Sequence, residues 1–368
     1  HGIFQAGYTA TMAPMCIGSH YAVRTEALKD VGGLGPELAE DHSTTMIMNA
    51  GGWRGVHALD AIAIGDGPAN IPDLCIQEFQ WSRSLFTLLL RYTPNYLRSL
   101  PLRLKFLFLF CQLLYPLIAL FMVLLYAMPI SALVFDIRFA EVTYPAFLLH
   151  VAPQMIILTA IAYFIKSDGH FRPYDGKVLS WERILFVGIQ WPWVAWGCLM
   201  AIRDRLFGGF VDFRITPKGE AAETVLPMRL LMVYAALAMG CFAPILLVDG
   251  VQNAQGFYLL TAINGLFYTA IVTVILTHHF RLAGLFRSKT WTTDLLKIGI
   301  LPVLFATAGM SVTAHGMQSV AALSTGLEPY KIVREVYPVS GAGMNKTGSV
   351  LLIFDPGWVS TDLINSKE

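Results

Sequence analysis

The sequence predicts an α-helical polytopic membrane protein with a mixed α/β portion at its N-terminus. Three observations carry this. Of 368 residues, 55% are hydrophobic and only 14% are charged, against roughly 25% charged in ordinary soluble domains. The mean hydropathy is +0.56, which is more apolar surface than one water-soluble core can hide. The apolar residues also fall into long uncharged runs that begin only after residue 105, behind a polar, glycine-punctuated stretch. A formal net charge of +1 argues against a nucleic-acid binder. Five cysteines, Cys16, Cys75, Cys111, Cys198 and Cys241, show no repeat spacing, which excludes a disulfide scaffold and a zinc cluster. The composition excludes disorder.

The first residue is His1 and no signal peptide precedes the polar stretch, so the chain is expected to be a fragment or a processed product. Residues 1–81 read as a soluble α/β segment. Gly32-Gly33, Gly51-Gly52 and Gly65-Asp66-Gly67-Pro68 break it into short elements. Residues 25–31 and 41–49 have helical character; 53–59 and 61–64 are expected as short strands. No period of 20–50 residues repeats.

Over 82–105 the cations Arg83, Arg91, Arg98, Arg103 and Lys105 interleave with apolar residues, and no acid occurs between Glu78 and Asp136. This predicts amphipathic helices on an anionic cytoplasmic membrane face, an ordinary solvated basic helix being the alternative. Six apolar runs follow, at 106–135, 146–165, 184–202, 230–248, 257–277 and 298–314; a bilayer core needs ~20 helical residues. Loop cations set the orientation. Lys166, Arg172, Lys177 and Arg183 precede the third run, and Arg203, Arg205, Arg214, Lys218 and Arg229 follow it. Both loops are expected to be cytoplasmic, which a single crossing forbids. Residues 184–202 are therefore expected to lie along the interface, with Trp191, Trp193 and Trp196 at headgroup depth and Pro192 disfavouring a straight span. That leaves five spans, with six as the alternative. Charge does not place the tail 316–368.

Three polar clusters are candidates for chemistry. Glu40-Asp41 open a helix, where one carboxylate facing a cleft can take a proton from a hydroxyl; simple helix capping explains the same pair. Gln77, Gln80, Trp81 and Ser84 share a helical face, an aromatic plane beside amides that suits a sugar, or else a tryptophan at a membrane boundary. Phe213-Arg214-Ile215-Thr216-Pro217-Lys218-Gly219 is a polar loop able to contact phosphate oxygens, or a plain connection. No spacing of metal ligands occurs.

These clusters, in this order and among spans, resemble the processive family 2 glycosyltransferases, the cellulose, chitin and hyaluronan synthases. Gly18-Ser19-His20-Tyr21-Ala22-Val23-Arg24 is similar to the family's Gly-Ser/Thr segment. Glu40-Asp41 stands where the family has Thr-Glu-Asp, with Ala39 for Thr. Gly52-Trp53 follows at the family's distance. Gln77–Trp81 resembles Gln-x-x-Arg-Trp, with Gln80 for Arg, and Arg83 one turn on is the candidate substitute. Phe213, Thr216 and Lys218 match a Phe-x-Val-Thr-x-Lys gating loop, with Ile215 for Val.

The resemblance implies a partial α/β (GT-A-like) cytoplasmic glycosyltransferase domain over 1–81, interfacial helices at 82–105, and a transmembrane region over 106–315. The last includes the interfacial helix 184–202 and the gating-type loop 203–227. It implies inverting transfer of a sugar from a nucleotide sugar, UDP-linked, to a growing β-linked polysaccharide that is exported through the membrane. Asp41 would be the base beside Glu40; Gln77, Gln80, Trp81, Arg83, Ser19, His20, Phe213, Thr216 and Lys218 would contact substrate. The family's Mg2+ or Mn2+ site, an Asp-x-Asp, is not in this chain. Membrane lipids are partners and nucleic acid is not; the expected location is a bacterial inner membrane, catalytic side cytoplasmic. Transfer to a lipid carrier, a transporter and an inactive fragment are the alternatives. A transporter predicts ionisable residues within the spans, and the runs 106–135, 230–248 and 257–277 hold none.

Overall fold

The computed structural model describes residues 2–140, 142–208, 226–283, 291–325, 332–336 and 351–354. Four helices precede the long apolar ones: α1 (Gly2–Thr11), α2 (Thr25–Asp30), α3 (Glu40–Ala50) and α4 (Ile71–Thr87). A π-helical turn (Leu88–Tyr92), α5 (Thr93–Tyr96) and a 3-10 turn (Leu97–Ser99) lead into α6 (Leu102–Phe135). Then come α7 (Tyr144–Ser167), α8 (Trp181–Phe207), α9 (Met228–Leu247), α10 (Phe257–Ala283) and α11 (Trp291–Leu323). Strands β1 (Ile332–Val336) and β2 (Leu351–Phe354) pair antiparallel near the C-terminus.

Helix starts follow local chemistry. Asn70 caps α4, its Oδ1 accepting from Asp73 N–H at 2.9 Å, with Pro72 in the first turn. Ser180 Oγ accepts from Arg183 N–H at the start of α8. At the far end of α6, Asp136 adopts φ +49°. Its carboxylate accepts backbone N–H from Gln252, Asn253 and Ala254 at 2.8–3.1 Å, tying α6 to the α9–α10 connection.

The described residues hold six helices, α6 to α11, long and apolar enough to cross a membrane. The main core lies between α8, α9 and α10, around Tyr234, Phe242, Tyr268, Ile271 and Ile275. A second cluster joins α3 to the start of α6 through Met46, Leu104, Leu107 and Phe108. Helix α8 lies alongside α4. Glu78 faces Gln190, Phe79 and Ser82 face Gly197, and Arg83 faces Asp204, so the two helices run in the same direction. Against α10 it packs at Gly188 and Trp191.

The expected strands at 53–59 and 61–64 are not formed; both stretches are irregular. Among the described residues no strand runs beside them, so no ladder satisfies their backbone groups, and Val56, Ile62 and Ile64 are exposed. The α/β character of the N-terminal portion is therefore not seen in the described chain. Helix α4 runs unbroken through residue 81, and α11 continues to Leu323, past the expected end of the spans. Proline does not set α8 apart, since α6, α7, α9 and α11 also contain it within the helix. Nor do all three tryptophans face outward. Trp191 and Trp193 donate to the hydroxyls of Tyr268 and Tyr234 at 3.0 and 2.9 Å, and Trp196 alone is exposed.

The close approach of α4 and α8 depends on Gly197. A Cβ there would meet Phe79 O at 2.6 Å and fall inside contact distance of Ser82 Oγ. Gly197→Ala is expected to destabilise the protein by ~1–3 kcal/mol. Gly299→Ala, with nothing within 4 Å of the added carbon, serves as the control. Thermal unfolding in detergent compares the two, and equal midpoints would refute the packing argument.

Candidate functional site

Helix α3 carries the paired acids in its first turn. Ala39, in the cap position, has no side chain to accept a hydrogen bond. The start of α3 is held instead from α4, where Ser84 Oγ accepts from Ala39 N–H at 2.9 Å. Two backbone loops are pinned to the helix by three of its own hydroxyls. Thr45 Oγ1 accepts from Cys16 N–H at 2.8 Å, Thr44 Oγ1 accepts from Gly35 N–H at 2.9 Å, and Ser43 Oγ donates to Pro36 O at 2.8 Å. A Cβ on Gly35 would run into Thr44 N (2.5 Å), so only glycine lets that turn lie on α3. Thr44, Thr45, Met46 and Met48 are thus buried latches and core.

Asp41 is half-buried. Its carboxylate accepts from His42 N–H at 2.7 Å, and the backbone N–H groups of Asp41 and Gly18 also favour the ion. Burial outweighs them and raises its pKa above the ordinary carboxylate value. A raised pKa makes a stronger base. Gly18 brings the 17–20 turn to the pair: a Cβ there would lie 3.5 Å from Asp41 Oδ2 and 3.8 Å from Glu40 Oε1. Ser19 and His20 follow it, joined by a 2.7 Å hydrogen bond between Ser19 Oγ and His20 Nδ1. Two expected contacts thus sit beside the acids.

On α4, Trp81 is 49% exposed while Gln80 and Ser84 are buried. Gln77 is half-buried, one turn before Trp81. The Ser84–Ala39 bond ties this helix to the start of α3. Arg83 turns the other way: its Nε donates to Asp204 Oδ2 at 2.7 Å and its Nη2 to the same oxygen, so the guanidinium faces α8. Arg91 adds a bond to the Asp204 carbonyl. Phe213, Thr216 and Lys218 lie outside the described residues.

Sequence reasoning missed three groups in this corner. Glu78, 3% exposed, accepts from Gln190 Nε2 at 2.6 Å, and burial raises its pKa. Tyr115 of α6 lies within electrostatic reach of Glu78 and Asp41. His42 is buried against Gln112. The available signal was a glutamine inside an otherwise apolar run, at 112 and again at 190.

Helices α6–α11 fit a membrane protein, and the polar corner built by α3 and α4 sits at the start of that bundle. The family model for glycosyl transferase family group 2 matches residues 1–165, which contain α1 to α6 and most of α7. That match supports a glycosyltransferase, with a nucleotide-sugar donor and an acceptor. Neither the curated proteins nor the solved structures give a match. Members of such families commonly use a divalent cation; among the described residues no group of three or more His, Cys, Asp or Glu side chains forms a donor set for one.

Burial holds the His42 pKa down at about 4, from 6.5. Between those values the unfolded chain binds a proton that the folded protein does not, so stability falls as pH drops from 6.5 to 4, by ~3 kcal/mol. Asp41, shifted upward, acts with the opposite sign. Denaturant unfolding across that range should therefore show a flatter loss on acidification in His42→Gln than in the parent. An unchanged slope would contradict the assignment.

Proposed function

We propose that this protein transfers a sugar from a UDP-linked nucleotide sugar to the end of a growing β-linked polysaccharide, with inversion, and passes the product through its membrane helices. The observation that carries this reading is the Ser84–Ala39 hydrogen bond. It ties the helix that bears Gln77 and Trp81 to the first turn of the helix that bears Asp41, which supports a shared site. Asp41 takes the proton from the acceptor hydroxyl as that oxygen attacks the anomeric carbon and the nucleoside diphosphate leaves. Glu40 lines the same turn. Trp81 offers a ring face to the acceptor sugar and Gln77 an amide; Gln80, expected from the resemblance to join them, is buried on α4. Ser19 and His20 border the acids. Phe213, Thr216 and Lys218, which lie outside the described residues, would contact the nucleotide as the resemblance implies. Arg83 holds α4 to α8 and has a positioning role. A divalent cation on the diphosphate, Mg2+ or Mn2+, would neutralise the leaving group; no step is assigned to residues of this chain through it. The catalytic side is cytoplasmic, in a bacterial inner membrane.

Transfer to a lipid carrier is a second reading, favoured by one observation. A cavity of about 330 Å³ lies between α6, α8 and α10, lined by Met122, Leu125, Ile184, Val187, Ile263 and Phe267. Its apolar lining suits a hydrocarbon chain. Membrane vesicles holding the protein and radiolabelled UDP-sugars separate the readings: a polymer retained on ethanol precipitation supports the first, an organic-extractable product the second. Asp41→Asn is expected to lower transfer by ~10²–10⁴-fold or more while nucleotide binding persists. Near-normal turnover in that variant would remove Asp41 as the base.

We place α8 along the cytoplasmic interface. Basic loops flank it on both sides, which is the support for this placement; its packing along α6, with Trp191 at Tyr126 and Val194 and Cys198 at Ala119, is the opposing observation and favours a sixth span. In a cysteine-free background, Lys177→Cys and Arg214→Cys should both react with an impermeant maleimide from the same, cytoplasmic side. Labelling from opposite sides would make α8 a sixth span.

A further inference from the structure

The side chain next to Asp41 points inward. His42 is 7% exposed and packs edge-on against Phe108 of α6, with ring centroids 5.4 Å apart and planes at 88°. Its Nε2 lies 3.0 Å from Nε2 of Gln112, also on α6. The amide oxygen of Gln112 is occupied, accepting from Thr93 Oγ1–H at 2.8 Å. The amide nitrogen therefore faces the imidazole, and an amide nitrogen only donates. With the amide in this orientation, His42 Nε2 accepts and the ring proton sits on Nδ1. Gln112 and Thr93 are both 0% exposed, beside an otherwise apolar cluster of Met46, Leu104, Leu107 and Phe108. Polar groups in such a place are costly unless each is satisfied, and a leucine in place of Gln112 would fill the space without that cost. The amide nitrogen lies 3.0 Å from His42 Nε2 and 3.9 Å from Met46 Sδ, and His42 is the residue whose backbone N–H holds the Asp41 carboxylate at 2.7 Å.

We propose that Gln112, on the first long helix, positions the Asp41 carboxylate through His42. The proposal rests on the reading of Asp41 as the base. The shared element is the His42 backbone: the imidazole anchors it to α6 on one side, and its N–H carries the Asp41 Oδ1 on the other. Thr93 sets the orientation of the Gln112 amide, so the relay runs from Thr93 to Gln112 to His42 to Asp41. Gln112 touches no substrate and is a positioning residue. A displacement of about 1 Å in a catalytic group costs on the order of 10²-fold in rate.

The test uses the protein in membrane vesicles, with the UDP-sugar that supports turnover. Gln112→Met keeps the side chain's length and removes the donor. It is expected to lower kcat by ~10–100-fold with KM for the nucleotide sugar within about twofold. The double variant Asp41→Asn/Gln112→Met is expected to match Asp41→Asn alone, because a residue acting only through Asp41 has nothing left to position. Thr93→Val, which frees the amide to turn, is expected to give the same split with a smaller loss, and it stands in if Gln112→Met fails to fold. Full kcat in folded Gln112→Met, or a further loss in the double variant, overturns the relay while leaving the base assignment intact. Normal turnover of Asp41→Asn overturns the base assignment and the relay with it.

Discussion

A carboxylate shut between two helices has to be met by a cation, and Asp204, 4% exposed, is met by Arg83. Removing one partner of such a pair costs ~3–5 kcal/mol, because the other charge stays buried. The geometry of the whole near end follows from this constraint. With Arg83 committed to α8, the opposite side of α4 is left for Trp81, and Ser84 one residue on reaches the start of α3. Glu78 and Gln190 repeat the tie near the middle of α4. The helix is thus bound on two sides by polar contacts, and its aromatic residue is the part left open.

Polar ties matter more here than their number implies. Lipid tails are as apolar as leucine, so apolar contacts between membrane helices do not by themselves select a register. Hydrogen bonds and ion pairs do, each worth about 1 kcal/mol or more only when its partner is in place. Gly197 and Gly188 supply the complementary condition. At Gly197 the α4 backbone comes within reach of α8, and at Gly188 the ring of Phe267 fills the space a side chain would take. Small residues permit the approach, and the buried polar pairs fix where along the helices it happens.

The long helices were legible in the sequence because apolar runs of 17 residues or more have few other uses. The acids in the first turn of α3 and the helical spacing over 77–81 were legible because first-turn chemistry and helical periodicity are local rules. The partners were not. Nothing local says that Ser84 accepts from Ala39, 45 residues away, or that Arg83 and Asp204 meet across 121 residues. Arg83 shows the consequence: from spacing it is a free cation near a phosphate, and in the fold it is spoken for. The short strands at 53–59 and 61–64 failed for the related reason that a strand is defined by its neighbour. The tryptophans of α8 misled because an indole prefers a headgroup only when no buried hydroxyl is offered, and Tyr234 and Tyr268 offer two.

Helix α6 has 34 residues, about 51 Å of helix at 1.5 Å per residue, well beyond the ~30 Å of a bilayer core. The excess lies at its start, where Leu104, Leu107, Phe108 and Gln112 pack against α3 and the turns before α6. One continuous rod is therefore shared between the membrane bundle and the helix that bears the acids. A helix resists bending far more than a loop does, so the height of Asp41 relative to the bundle is set by where α3 grips this rod. Under the proposed function that height is what matters. A base that serves a polymer end entering the membrane helices has to stay in register with those helices through every transfer. A loop connection would let it drift, whereas a buried imidazole held by an amide on the rod itself does not.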